Sequence, residues 1–205
     1  MLREYLSQCD KLVSLRSILQ LGNGYAFKSE AYTDNGIYKI LTIKNVQDGL
    51  VDCSSSNRIA ELPTKMKGYC KLSLGNVVVS LTGNVGRVGI VAEANCLLNQ
   101  RVAVLQPSSE FMLSGLYFFF RNTAFQNQMI GIARGTAQAN LSPVETLELF
   151  MPYDSELFES LCKKVDPLFR LILANRVEAN RLSALRDTLL PKLMTGEIDI
   201  SKVKL

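Results

Sequence analysis

The chain has 205 residues, enough for one domain and an appendage but too few for two domains with separate large cores. Its 47% apolar and 20% charged content fits a folded globular protein and argues against disorder. The net charge of +4 suits a polyanionic partner and equally an ordinary, slightly basic surface.

Histidine is absent, which excludes His-containing zinc sites, Ser-His-Asp triads and histidine general bases. Five cysteines at positions 9, 53, 70, 96 and 162 include no CxxC pair, the pattern of buried thiols in a reduced, cytoplasmic chain. The longest apolar run, "GLYFFF" at 115–120, is far shorter than the roughly 20 residues of a membrane span, so no membrane partner is expected. Charged and polar residues at Arg3, Glu4, Gln8 and Asp10 break up the first turns, which reads against a signal peptide.

From about Leu12 to Pro152 short β-like runs alternate with Gly, Asn, Asp and Ser clusters. "IYKILTI" (37–43), "NVVVSL" (76–81), "RVGIVA" (87–92) and "RVAVLQP" (101–107) are rich in β-branched residues and predict strands. "EFMLSGLYFFFRN" and "AFQNQMIGI" have helical spacing, limited by Pro107 before and Gly131 after. The fold class is therefore α+β, a curved mixed sheet with peripheral helices.

Three stretches carry groups suited to recognition. The first, 24–49, sets Lys28, Lys44 and Asn45 among aromatics and turns; lysines suit phosphates, and amides suit base edges. In "TGNVGRVGIV" (82–91) the glycines match neither a dinucleotide nor a P-loop spacing, so a tight hairpin presenting Asn84 and Arg87 is the better account. "ARGTAQANLSP" (133–143) carries Arg134, Gln138 and Asn140 and ends in a helix start at Ser142-Pro143. Each stretch is also readable as a solvated loop or a connector.

After Pro152 the texture changes. Residues 155–190 contain no glycine, and Phe158, Leu161, Val165, Leu168, Ile172, Ala179, Leu182 and Leu189 recur in steps of three and four. That is a heptad-like seam, with Asn175 where a buried amide fixes register. It predicts one long C-terminal coiled-coil-like helix of roughly 50 Å. Pro167 is expected to kink or interrupt it, and "LLPKLMTGEIDI" (189–200) to stop it through Pro191 and Gly196. The stripe packs on the sheet domain or pairs with a second long helix. In the pairing reading the dimerisation residues are Leu161, Val165, Leu168, Ile172, Asn175, Ala179, Leu182 and Leu189.

The ordered set "GYAFKSEAY", "ILTIKNVQDG", "VVSLTGNVGRVGIV", "LNQRVAVLQP", "GTAQANLSP" and "LLPKLMTGEIDI" resembles the specificity subunit of type I restriction-modification systems. No single piece is very specific; the order is, and it covers nearly the whole chain. The resemblance implies a target recognition domain at 1–152 that reads double-stranded DNA, and a spacer and dimerisation helix with its tail at 153–205. It implies no catalysis and no cofactor of its own. Modification (methyltransferase) subunits would supply S-adenosylmethionine and adenine methylation, and a restriction (motor-nuclease) subunit would supply cleavage. Typical members carry two recognition domains and two spacer helices, and this chain has one of each. It thus looks like a half subunit pairing as an antiparallel homodimer on an interrupted palindrome, although a fragment, a silent cassette or a partner for a different half fits the same sequence. The rival readings are an assembly protein that dimerises through its helix and a self-sufficient methyltransferase. The second lacks the Asp/Asn-Pro-Pro-aromatic signature, since "MPYD" (151–154) has one proline.

Overall fold

Three of the four β-branched runs form the middle of the molecule. In the computed structural model, which describes residues 1–135 and 139–198, Val77–Ser80, Val88–Ile90 and Val102–Pro107 are neighbouring strands with buried side chains on both faces. In chain order the strands are β1 (Leu12–Ser14), β2 (Leu19–Asn23), β3 (Tyr38–Leu41), β4 (Gly49–Leu50), β5 (Arg58–Ile59), β6 (Val77–Ser80), β7 (Val88–Ile90), β8 (Cys96–Leu98), β9 (Val102–Pro107) and β10 (Phe150–Pro152). The helices are α1 (Leu2–Gln8), α2 (Leu113–Phe120), α3 (Thr123–Ile132), α4 (Pro143–Glu148) and α5 (Ser155–Met194).

A five-stranded sheet runs β2-β9-β6-β7-β4, antiparallel except for the parallel β7–β4 pair. A three-stranded sheet runs β5-β3-β8, with β3 parallel to β8. A third pair, β1 with β10, joins the two ends of the domain antiparallel. The α+β class with a mixed sheet and peripheral helices is as the composition of the runs predicts.

α2 is apolar nearly all round, and a helix of that kind has to be covered on both sides. It lies between the five-stranded sheet and the first half of α5, where Tyr117 meets Phe169 edge to face at 5.4 Å. The approach is close because position 115 is glycine. A Cβ there would stand 2.5 Å from the Cys162 sulfur and 2.9 Å from the Phe158 ring. Gly115→Leu is therefore expected to lever α5 from the domain and cost about 2–3 kcal/mol, read as a lower midpoint in urea unfolding.

Asp154 caps α5, its side chain accepting from the N–H groups of Glu156 and Leu157, each at 3.0 Å. Phe158, Leu161, Cys162, Val165 and Phe169 are buried in the domain's own core, with Ile172 and Leu173 packed at its edge. Leu161, Val165 and Ile172 thus leave the expected seam, because the first half of the stripe finds its cover within the chain. Among the described residues the last hydrogen bond from α5 to the sheet domain is that of the Asn180 amide, which donates to Ala92 O at 3.2 Å.

Beyond it, residues 181–194 project for about four turns, and Ala179 beside them is exposed. The exposed apolar stripe runs Leu168, Leu171, Asn175, Leu182, Leu185 and Leu189. It keeps Leu168, Asn175, Ala179, Leu182 and Leu189 of the expected seam exposed, with Leu171 and Leu185 on its flank.

Neither proline interrupts the helix. α5 is one helix of 40 residues through both Pro167 and Pro191. Each proline removes one backbone donor, and its flanking turns carry the helix across. The stop falls at Thr195 and Gly196, whose φ of +74° and N–H bond to Leu193 O (3.2 Å) close the last turn. Likewise Gly131 lies inside α3, which ends one residue later. Residues 199–200 of "LLPKLMTGEIDI" lie outside the described residues.

Candidate nucleic-acid interface

The expected hairpin is the β6–β7 turn, residues 81–87. Gly83 (φ +69°) and Gly86 (φ +82°) supply the left-handed positions that let the chain reverse so tightly. Ser80 and Arg87 close the turn (N–H to O, 2.8 Å), and the Gln126 amide of α3 donates to Gly86 O at 3.1 Å from the side. Asn84 stands exposed at the tip, with Arg87 half-buried at its base.

Two other segments are fastened to this hairpin. Residues 139–141 run along it, with Gly83 N–H donating to Ala139 O (2.9 Å) and Leu141 N–H to Leu81 O (2.8 Å). The Thr82 hydroxyl donates to the Asn140 side-chain carbonyl at 2.7 Å, and Asn140 also exchanges two backbone bonds with Arg134. Arg134 is almost fully exposed and pairs with Glu145 at 3.2 Å. Gln138 lies outside the described residues.

The second segment is the loop before β4. Arg87 Nη1 donates to Gln47 Oε1 at 3.4 Å, and the Gln47 amide donates to Lys44 O at 2.7 Å, so Lys44, which is exposed, stands next to the hairpin base. Asn45, in contrast, is buried. Its side-chain oxygen accepts from the Thr42 N–H and hydroxyl, both at 2.8 Å, and its amide donates to Asp52 O at 2.8 Å. It ties the loop together, and its side-chain bonds go to its own loop, not to a base edge.

Arg121 braces this loop from α2. Its guanidinium donates to Asp48 (3.2 Å) and to the Tyr117 hydroxyl (3.0 Å), while Tyr117 donates to Gly49 O at 3.1 Å. Burial works against the Arg121 charge, but the bonds to Asp48 and Tyr117 more than offset it and hold its pKa above the usual arginine value.

Lys28 is exposed just before the short turn Ser29–Ala31, and the segment it opens is bonded to β5 through Thr33 N–H and Arg58 O (2.9 Å). The structure therefore brings Lys44, Asn84, Arg87, Arg134 and Asn140 into one continuous run of loops and sets Lys28 on a separate loop that leans on the three-stranded sheet.

Two cavities flank the hairpin. One, of about 310 Å³, is lined by Asn84, Arg87, Gln126, Ile130 and Ala139. The other, of about 400 Å³, is lined by Asn23, Thr82, Gln100, Arg101 and Asn140. Both are walled by amides and arginine, groups able to bond either phosphates or base edges. Gln47, Gln100 and Gln126 have no sequence signal that separates them from other surface glutamines. Among the described residues no group of His, Cys, Asp or Glu is arranged to hold a metal ion, and no helix is long and apolar enough to cross a membrane. All five cysteines are buried and unpaired.

The 139–141 segment owes its position to α4. Ser142 and Glu145 form a reciprocal cap, each side chain bonding the other's backbone N–H at 3.1 Å, with Pro143 in the first turn. The backbone bond from Ser142 holds the Glu145 carboxyl below its ordinary pKa. A depressed carboxylate contributes above its unfolded pKa, and that contribution is lost as pH falls through the lowered folded value. Ser142→Ala is expected to cost about 1 kcal/mol and about 2–4 °C in melting temperature. Alanine keeps the backbone N–H from which Glu145 accepts, so this deficit in thermal denaturation should change little with pH, whereas that of Glu145→Gln should shrink as pH falls through the lowered Glu145 value.

A mixed sheet that offers a polar loop rim, carried on a projecting helix, defines a recognition module on a strut. The chain belongs to the family described as the type I restriction modification DNA specificity domain, which matches residues 11–156. It is 29% identical over 126 residues to the type I restriction enzyme HindI specificity subunit of Haemophilus influenzae, covering 60% of this chain and 27% of that protein. It is 25% identical over 195 residues to the MjaIX specificity subunit of Methanocaldococcus jannaschii, covering 92% of this chain and 44% of that one.

Among solved structures it resembles the S subunit of a type I restriction-modification system from M. genitalium, with a TM-score of 0.57 at 20% identity over 90% of this chain and 46% of that one. The HsdS subunit from Thermoanaerobacter tengcongensis gives 0.50 at 16% identity, covering 92% and 45%. The chain spans less than half the length of each of these proteins.

Proposed function

We propose that the chain supplies one recognition domain and one spacer helix of a specificity subunit and works as a pair of copies. In this reading residues 1–152 recognise one half of an interrupted palindrome in double-stranded DNA, and residues 153–205 space and dimerise two copies. Adenine methylation is the work of modification subunits that bring S-adenosylmethionine, and cleavage that of a restriction subunit joining the complex, all in the cytoplasm, where buried thiols stay reduced. Lys28 and Lys44 serve as phosphate anchors, and Asn84, Arg87, Arg134, Gln138 and Asn140 as base readers.

The observation that carries this reading is the pairing of one loop rim with one helix whose outer turns expose leucines and a central Asn175. An apolar stripe of that length calls for a partner, and a second copy meeting it antiparallel places two identical rims at opposite ends. Twofold protein symmetry is then mirrored in the site.

The test is a base-by-base methylation map of DNA from cells expressing this chain with its modification subunit. Adenine methylation at an interrupted palindrome is the expected result. An asymmetric bipartite motif would replace the homodimer with a second, different half. A confirmed complex that methylates nothing would remove DNA direction from the reading.

A further inference from the structure

Arg87 differs from the other arginines braced near the rim in what holds it. Arg121 and Arg134 are both paired with carboxylates, Asp48 and Glu145. The partner of Arg87 is the neutral Gln47 carbonyl, at 3.4 Å from a single guanidinium nitrogen, Nη1. That contact orients the side chain without neutralising it, and occupies one donor of a group that has five.

The backbone beneath it is fixed from several directions. Gly86 is gripped by Gln126 and Ser80, and Arg87 itself bonds Ser80 and Asn84 through its main chain. Gln47 is equally constrained, because its amide is spent on Lys44 O and its loop is held by Asn45 from within and by Arg121 and Tyr117 from below. The guanidinium lines the cavity of about 310 Å³ beside exposed Asn84 and Ile130.

A planar fork of donors, pre-aimed and still fully charged, has one matched target among base edges. Guanine offers two acceptors, O6 and N7, on its major-groove edge, and arginine meets them bidentately. Gln47 holds Lys44 O with its amide and the guanidinium with its carbonyl, so both ends of the side chain are engaged within the protein. Its part is to stop the arginine from swinging to a phosphate, where it would add affinity without selectivity.

Resting on the DNA-recognition reading above, we propose that Arg87 reads a guanine in each half-site and that Gln47 is the positioning residue that aims it. The test compares methylation motifs of cells expressing the full chain, or its variants, with the modification subunit. Arg87→Ala and Arg87→Lys should each relax one and the same guanine position, with about tenfold or greater loss of preference. Lysine fails because it keeps the charge and loses the fork.

Gln47→Ala should relax that same position and no other. Gln47→Glu keeps an acceptor but puts a carboxylate on the guanidinium and loses the bond to Lys44 O, so it too should weaken the preference at that position. Melting curves on the four purified variants should match that of the wild type, and a merely structural Gln47 would lower methylation evenly across the motif instead of at one base.

The proposal is overturned if Arg87→Ala leaves the motif intact, if the relaxed position is not guanine, or if Gln47→Ala acts elsewhere or not at all. Absence of any methylation motif with the wild-type chain would overturn the functional reading, and this inference with it. A normal wild-type motif that Arg87→Ala does not change overturns this inference alone.

Discussion

Replacing Leu182, Leu185 and Leu189 together by alanine is expected to turn a dimer into a monomer while leaving the folded domain untouched. The three side chains are exposed at 55%, 51% and 36% in the single chain, so their loss removes little from its own core. In an antiparallel pair each would be covered by the second helix, and burial of a leucine side chain is worth about 1.5–3 kcal/mol. Twofold symmetry counts every substitution twice. If only half the lower figure is realised against the costs of association, pairing still weakens by about 4–5 kcal/mol, roughly a thousandfold. Light scattering at micromolar concentration reads the change in mass, and the melting temperature should lose its dependence on protein concentration while unfolding stays cooperative. Methylation should fall with the dimer, since a single rim grips only half a site. A variant that remains dimeric would place the contact elsewhere, and the leucine stripe would then be the docking face of another protein.

The sequence-to-structure comparison explains why that stripe has to be read from coordinates. Steps of three and four do identify a helix, but Leu171 and Ile172 both satisfy the pattern on either flank of Leu168 and Asn175. Which flank faces out depends on where α5 is docked, and that is set by Gly115 opposite Cys162, a long-range contact with no local signature. The strands were legible where β-branched residues clustered between turn signals, as in β6, β7, β9 and, within 37–43, β3. β4 and β5 have two residues each and exist only because a neighbour pairs with them.

The same limit applies to the rim. The hairpin announces itself through glycines, and α4 through Ser142-Pro143. Asn45 and Asn84, both amides beside turn signals, are indistinguishable in sequence, yet one knots its loop from inside while the other stands at a tip. Pro167 and Pro191 were misleading for a related reason. Proline's cost to a helix is local, about 3 kcal/mol, and is outweighed when the turns on both sides carry it across.

Lengthening α5 gives the second large effect, and its sign depends on phase as well as distance. Duplicating residues 176–182 directly after Leu182 adds one heptad, about 10 Å of helix, and keeps the leucine stripe nearly in register, with a drift of about 20°. On DNA the same 10 Å is about three base pairs, close to 100° of duplex twist. The two rims would then be far enough apart but would face different sides of the duplex. Binding to the original motif should be lost, with no comparably tight site at a spacer three base pairs longer.

Three heptads behave differently. They add about 32 Å and about 60° of drift, while the matching nine or so base pairs fall about 40° short of a full turn, in the same sense. Both rims face the groove again, so selection of bound duplexes from a random library should return the original half-sites with a spacer longer by about nine or ten base pairs. An unchanged spacer in both variants would mean that α5 does not measure the gap. Equal binding by the one-heptad and three-heptad chains would mean that the helices flex enough to ignore duplex twist, and the rigid-strut reading of residues 181–194 would have to be abandoned.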